Sequence, residues 1–181
     1  HQEIAKRPKI WLEPTAVANP AAVRAILRAD LVVVAPGNLY GSLAPVLVID
    51  GIRRALHETR AKCVYVCNLV TKPGPTDGFT VKDFASEIER LAGGEFLDYV
   101  VFNNDEPSPE LMEKYAHGGE LVVKYDLNEL RRQHYEFRGV PILAKQAWTG
   151  AQASDPIASA RSFIRHDSDA VARQLMRLYF A

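Results

Sequence analysis

This 181-residue sequence lacks an excess of either charge: 22 Lys and Arg are matched by 22 Asp and Glu. A neutral chain has no broad positive field of the kind that non-specific nucleic-acid binding uses, so no nucleic-acid partner is expected. Nor is there an apolar run near the ~20 residues that cross a bilayer, and no membrane span is expected. The opening, HQEIAKRPKIW, has neither a hydrophobic targeting core nor an initiator Met. It reads as cytoplasmic and as a piece of a longer protein. Cysteine is scarce: Cys63 and Cys67 are the only two. Four strand residues extend about 13 Å, too far for a disulfide between them. With no cluster of zinc ligands nearby, the pair reads as plain core thiols in a reducing compartment.

What the chain does have is apolar material, 48 % of its residues, enough for the core of one domain. KIWLEP (residues 9–14) has the composition of a short strand. NPAAVRAILRAD reads as a helix capped by Asn19, with Pro20 in its first turn. LVVVAP is an unbroken β-branched run, as expected of a strand covered on both faces. APVLVIDGIRRALHETR returns to helical periodicity, and KCVYVCNL is the next strand. Thr80 and Asp83 form a capping box before VKDFASEIERLAGG, whose twin glycines end the helix. FLDYVVFNN follows as a strand. SPELMEKYAHGG is a helix with Ser108 as cap and Pro109 first, and ELVVKYD is a strand. Leu127 to Arg138 is polar and ambiguous, VPILAK is short and apolar, and TGAQASDPIASA has loop composition. DSDAVARQLMRLYF closes the chain as a helix capped by Asp167 or Ser168. Alternation of strand and helix predicts an α/β fold: a three-layer Rossmann-like domain, residues 1–181, with a mainly parallel sheet.

In an open parallel sheet, ligands bind outside the carboxyl ends of the strands. Three successive strands end in polar, glycine-containing loops. The first carries Pro36-Gly37-Asn38-Leu39-Tyr40-Gly41-Ser42. The second carries Asn68, Thr71, Lys72, Pro73, Gly74, Thr76, Asp77 and Gly78, and the third Asn103-Asn104-Asp105-Glu106. Glycine admits close backbone approach, Ser, Thr and Asn supply neutral hydrogen bonds, and a helix starting near Ala44 would offer free N–H groups to an anion. A phosphate-bearing small molecule fits that chemistry. The first loop alone reads equally well as a tight strand-to-helix turn, being neither a Walker A nor a G-x-G-x-x-G motif. The five histidines are scattered without ligand spacing. His166, in IRHDS, reads either as a site residue or as part of a solvated cap. Tyr115 either packs on the sheet or stacks on a base. Arg165 suits a phosphate or carboxylate.

Together these stretches resemble the YvcK/CofD family. ADLVVVAPGNLYGSLAPVLVIDGIRRAL is similar to its AD-(apolar)-GPGSLYTS-(apolar)-P-(apolar)-GI segment. KCVYVCNLVTKPGPTDGFTVKDF resembles its VY-(apolar)-CN-(apolar)-MTQPGET-(D)-G-(FY)-T-(apolar)-DH segment. EKYAHGGELVVKYDLNEL and FIRHDSDAVARQL match later KYA and LRHD segments in the same order. The KYA and RHD segments favour the YvcK branch, the gluconeogenesis- or morphogenesis-factor group. Members of that branch bind UDP-sugars, notably UDP-N-acetylglucosamine, and influence central carbon metabolism, cell-wall growth and cell shape. The CofD branch transfers a phospholactyl-type group from a guanylyl-activated donor to a deazaflavin.

By matching position, the resemblance implies ligand contacts from Gly37, Asn38, Leu39, Tyr40 and Ser42 in the first loop. It implies Asn68, Thr71, Thr76 and Asp77 in the second, and Tyr115 and Arg165 further on. It implies a UDP-sugar as ligand and no catalytic residue that the sequence can name. Mg²⁺ enters only under a transferase reading, with Asp77, Asp105 and Glu106 as its candidate ligands; a third reading is an interaction module without ligand. Four positions depart from the family pattern: Ala35 replaces a Gly, Gly41 a Thr, Pro75 a Glu and Phe84 a His. The last two remove an acid and an imidazole, which speaks against acid–base or metal chemistry there. The family's N-terminal Gly-Gly-Gly-Thr-Gly loop has no counterpart, so the domain is expected to be incomplete at its N-terminal side, with an exposed sheet edge that would suit a homodimer.

Overall fold

Short β-branched runs, continuously buried in the two central strands, build the frame. In a computed structural model, which describes residues 7–144 and 164–181 apart from the side chains of Leu111, Lys114 and Tyr115, four strands form one sheet. They are β1 (Leu31–Val34), β2 (Lys62–Val66), β3 (Tyr99–Asn103) and β4 (Glu136–Val140), paired in that order. All three pairings are parallel, with Val34 opposite Tyr65, Val66 opposite Val101 and Asn103 opposite Val140. Every strand therefore points its carboxyl end to the same edge. The loops after β1, β2 and β3 share that edge, as the alternation predicts.

The period of two divides the strand side chains between two faces. Tyr65, Val100 and Phe102 face α2 (Ala44–Leu47), α3 (Asp50–Glu58) and α4 (Val81–Ala92), packing with Leu47, Ile52, Leu56, Phe84 and Ile88. Val64, Val66 and Val101 face the other way, onto Leu178, Leu175 and Val171 of α7 (Ser168–Phe180). The result is three layers. Helix α1 (Pro20–Arg28) packs on α3, and Gly51 makes that approach feasible, since a Cβ there would lie 2.5 Å from the Ala18 Cβ. α5 (Pro109–His117) and the single turn α6 (Leu127–Leu130) lie between β3 and β4 in sequence. Among the described residues, no helix is long and apolar enough to cross a membrane.

Caps mark the helix ends as the sequence predicts. Asn19 accepts from the Ala21 N–H, Thr80 and Asp83 complete a reciprocal capping box, Gly93 takes a left-handed φ of 90°, and Asp167 caps α7. Three expectations differ from the structure, and one stretch left open is resolved. Residues 9–14 form no strand; they run past the sheet without pairing, leaving Trp11 68 % exposed. Residues 44–60 form two helices, not one. The break falls at Val48–Ile49, where Ile49 is extended and Arg53 Nε caps the Leu47 carbonyl at 3.3 Å. Residues 120–126 make only isolated bridges, Val70–Val122 and Thr80–Lys124, because their N–H and C=O groups bond to the loop after β2. Finally, β4 lies in and just beyond the polar stretch that reads as ambiguous. It is an edge strand, and its Glu136–Arg138 ion pair faces outward. The stretch TGAQASDPIASA lies outside the described residues.

Ile88, fully buried against the sheet, carries the core, whereas Leu27 is 40 % exposed. Ile88→Ala should lower unfolding free energy by about 2–5 kcal/mol, against well under ~1 for Leu27→Ala, read from urea midpoints.

Candidate functional site

The loop after β1 folds onto its own asparagine. Asn38 Oδ1 accepts from the Gly41 N–H at 2.8 Å, and the Asn38 carbonyl accepts from Ser42 at 2.8 Å and Leu43 at 3.1 Å. This produces a π-helical turn, Leu39–Leu43, leading into α2. The three N–H groups that would greet a phosphate are thereby already bonded, and α2 is one turn long. The expected anion-binding helix start is not formed here: the Asn38 side chain and carbonyl occupy it instead.

Asn68 ties this loop to the next. Its Nδ2 donates to the Gly37 carbonyl at 2.8 Å, while its Oδ1 accepts from the buried Tyr65 hydroxyl at 3.1 Å. The second loop closes on Thr76. Thr76 Oγ1 accepts from the Lys72 N–H at 2.7 Å and donates to the Lys72 carbonyl at 3.2 Å. Gly74 and Gly78 take φ values of 83° and 70°, which L side chains adopt at a cost. Thr71 is bound twice to Leu121, through Thr71 N–H at 2.8 Å and through Oγ1 at 3.1 Å.

Between these loops lies a cavity of about 220 Å³. Asn38, Leu39, Tyr40, Asn68 and Thr76 line it, so five of the sequence candidates come together. Gly37 stands behind, held by Asn68. Ser42 and Asp77 are exposed and outside the lining, and Thr71 is buried in its pairing with Leu121. Arg165 lies outside the lining too; its carbonyl accepts from Ala144 N–H at 2.8 Å. The Tyr115 side chain lies outside the described residues. The cavity also takes Val70, Lys72, Pro73, Pro75 and Phe84. Lys72 is the charged member of the lining, and the sequence marked it only as one polar residue of a loop. Phe84 gives the cavity an apolar wall.

Tyr40 is fixed from below. Its hydroxyl donates at 2.9 Å to Glu87, which is fully buried on α4 and also takes two bonds from Arg90 and one from Arg7. Burial, then the hydrogen bond to Glu87 and its charge, push the Tyr40 phenol far above its ordinary value, so it stays protonated. The cysteines are inert for the same reason: burial pushes Cys63 up to about 11 and Cys67 to about 12. His166 is a tether. Burial lowers its pKa, outweighing the raising effect of its bond to Cys67, and the neutral ring donates from Nε2 to the Cys67 carbonyl at 3.0 Å. Among the described residues no three His, Cys, Asp or Glu side chains group to hold a metal, so Asp77, Asp105 and Glu106 form no such set.

The fold thus defines an α/β protein with an all-parallel sheet and a cavity of mixed polar and apolar lining between the loops at its carboxyl edge. Residues 1–143 match the family model described as 2-phospho-L-lactate transferase CofD, and the chain belongs to the CofD family. Its relatives carry the name of the branch to which the motifs point. A Clostridium acetobutylicum protein named "Putative gluconeogenesis factor" is 36 % identical, matched over 93 % of this chain and 34 % of its own length. The "Gluconeogenesis factor" of Bacillus subtilis is 29 % identical over 94 % of this chain and 50 % of its own. The crystal structure of a UPF0052-family protein from Bacillus halodurans superposes with a TM-score of 0.76 at 26 % identity, over 88 % of this chain and 47 % of that one. The chain spans half or less of the length of each of these relatives.

Asn68→Ala should cost about 1–3 kcal/mol in chemical denaturation, because it takes an acceptor from the buried Tyr65 hydroxyl and unties the two loops. His166 sets a pH dependence. Its folded pKa is depressed below 6.5, so its contribution is whole above that pH and is lost as pH falls through the folded value. The urea midpoint should therefore drop between about pH 7.5 and pH 5.5, and His166→Gln, whose amide can donate to the same carbonyl, should flatten that drop.

Proposed function

We propose that the chain binds a nucleotide sugar, with UDP-N-acetylglucosamine the leading candidate, along the carboxyl edge of its sheet. On this reading it is a cytoplasmic regulatory protein linked to central carbon metabolism and to cell-wall and cell-shape control. The observation that carries the reading is the cavity itself. Five residues chosen for their chemistry and family position line one space between two adjacent strand ends, where parallel sheets hold ligands. A volume of about 220 Å³ lies below the ~300 Å³ at which pockets begin to enclose a drug-sized molecule, so it takes one portion of such a ligand. The remainder would run over the same edge towards Tyr115 and Arg165. The gluconeogenesis-factor names of the relatives support the metabolic part of the reading.

A second reading is a transferase that moves a phospholactyl-type group from a guanylyl-activated donor to a deazaflavin. The match of residues 1–143 to the family of 2-phospho-L-lactate transferase CofD favours it. The described acidic residues do not group into a set that fits Mg²⁺.

Calorimetric titration separates the two. Binding of UDP-N-acetylglucosamine that is lost in both Tyr115→Ala and Arg165→Ala is the expected outcome. Binding of GTP only with Mg²⁺ present would transfer support to the second reading. Silence towards both ligands would remove both.

A further inference from the structure

The loop after β2 holds a charge that the candidate residues above do not include. Lys72 lines the cavity together with Asn38, Asn68 and Thr76, and it is the charged residue among the lining side chains. Its ammonium group is paired with the Glu120 carboxylate, which stands outside that lining. Lys72 is half exposed and Glu120 mostly buried, at 49 % and 19 % of their side-chain surface. The chain is shaped to bring the two together. Gly119 takes a φ of 72°, and its backbone lies so close to the loop that a Cβ there would stand 3.0 Å from Pro73 Cγ. The two hydrogen bonds between Thr71 and Leu121 fix the other side of Glu120.

We propose that Lys72 is the cation that recognises a phosphate in this cavity, and that Glu120 is its resting partner, displaced when the ligand arrives. The inference rests on the reading of the cavity as a nucleotide-sugar site, and it names the portion of the ligand that enters: the diphosphate. Three features carry it. Asn38 Oδ1, the Asn68 amide and the Thr76 hydroxyl are bonded within the loops. Asn38 and Asn68 hold the two loops, Thr76 closes the second, and the N–H groups of Gly41, Ser42 and Leu43 are taken. An anion therefore finds its strongest partner in Lys72. The ammonium end of the pair is half exposed, where an ion pair is worth little, so a diphosphate carrying two negative charges can compete for it. A lysine offers three rotatable donors on a flexible stem, so the exchange needs a side-chain rotation and no backbone movement.

The opposed signs of two substitutions test this. Lys72→Gln removes the cation, and Glu120→Gln removes its competitor; both break the same ion pair. If the pair only straps the loop, both variants weaken binding. If Lys72 exchanges partners, Lys72→Gln weakens UDP-N-acetylglucosamine binding by about tenfold or more, while Glu120→Gln strengthens it a few-fold. Binding in the wild type should also fall with added salt, and more steeply than in Lys72→Gln. The probe is UDP-N-acetylglucosamine, read by calorimetry on the purified chain, with the melting temperature of each variant measured alongside. Equal weakening in both variants, or unchanged affinity in Lys72→Gln, overturns the exchange and leaves the nucleotide-sugar reading standing. No binding by the wild type removes both.

Discussion

A carboxylate with no access to water anchors the carboxyl edge of this protein. Glu87 is fully buried in α4, and its two oxygens accept from Tyr40, from Arg90 twice and from Arg7. Removing such a group from water costs several kcal/mol unless its lone pairs are met, and here they are. The cluster joins three parts of the chain distant in sequence. Arg7 comes from the segment before α1, and Arg90 also reaches the Pro8 carbonyl at 2.9 Å. Tyr40 belongs to the π-helical turn after β1. The placement of the Tyr40 ring as a cavity wall therefore depends on an ion cluster beneath it.

A second buried acid, two residues further along the same helix, does the same for another part of the chain. Glu89 accepts from the N–H groups of Phe96 and Leu97 at 3.0 and 3.1 Å, and from His134 Nε2 at 2.9 Å. It thereby fixes the turn that follows Gly93 and Gly94 and sets where β3 begins. The same helix thus positions one strand's entrance through Glu89 and another strand's exit loop through Glu87. The Ile88 side chain between them faces the sheet.

Much of the frame was legible because it rests on local chemistry. The β-branched run Leu31–Val34 and the capping pair Thr80–Asp83 each announce one element from a few adjacent residues. β4 was hidden because an edge strand needs polar residues outward, and Glu136 and Arg138 make it resemble a loop. The bend at Val48–Ile49 was hidden because it answers to Arg53 and to the approach of Ala18, neither visible in a periodicity. At the edge, composition identified polar loops but not what their side chains hold. Thr71 has the same hydroxyl and branching as Thr76, yet its partner is Leu121, 50 residues away, whereas Thr76 closes on Lys72 four residues away. Long-range pairing decides which polar residue frames the cavity and which is spent on architecture. Glu120 carries that lesson furthest, since only the fold brings it to Lys72.

The self-bonded loops have a consequence for timing and water. Asn38, Asn68, Thr71 and Thr76 find their hydrogen-bond partners in the protein. Their rotamer freedom is lost once, on folding, and not again when a guest arrives. The cavity walls also hold few polar atoms that depend on solvent, so a guest strips little tightly bound water from them. Apart from the Lys72 side chain, the enclosure is thus a mould set in advance by the folding of its loops.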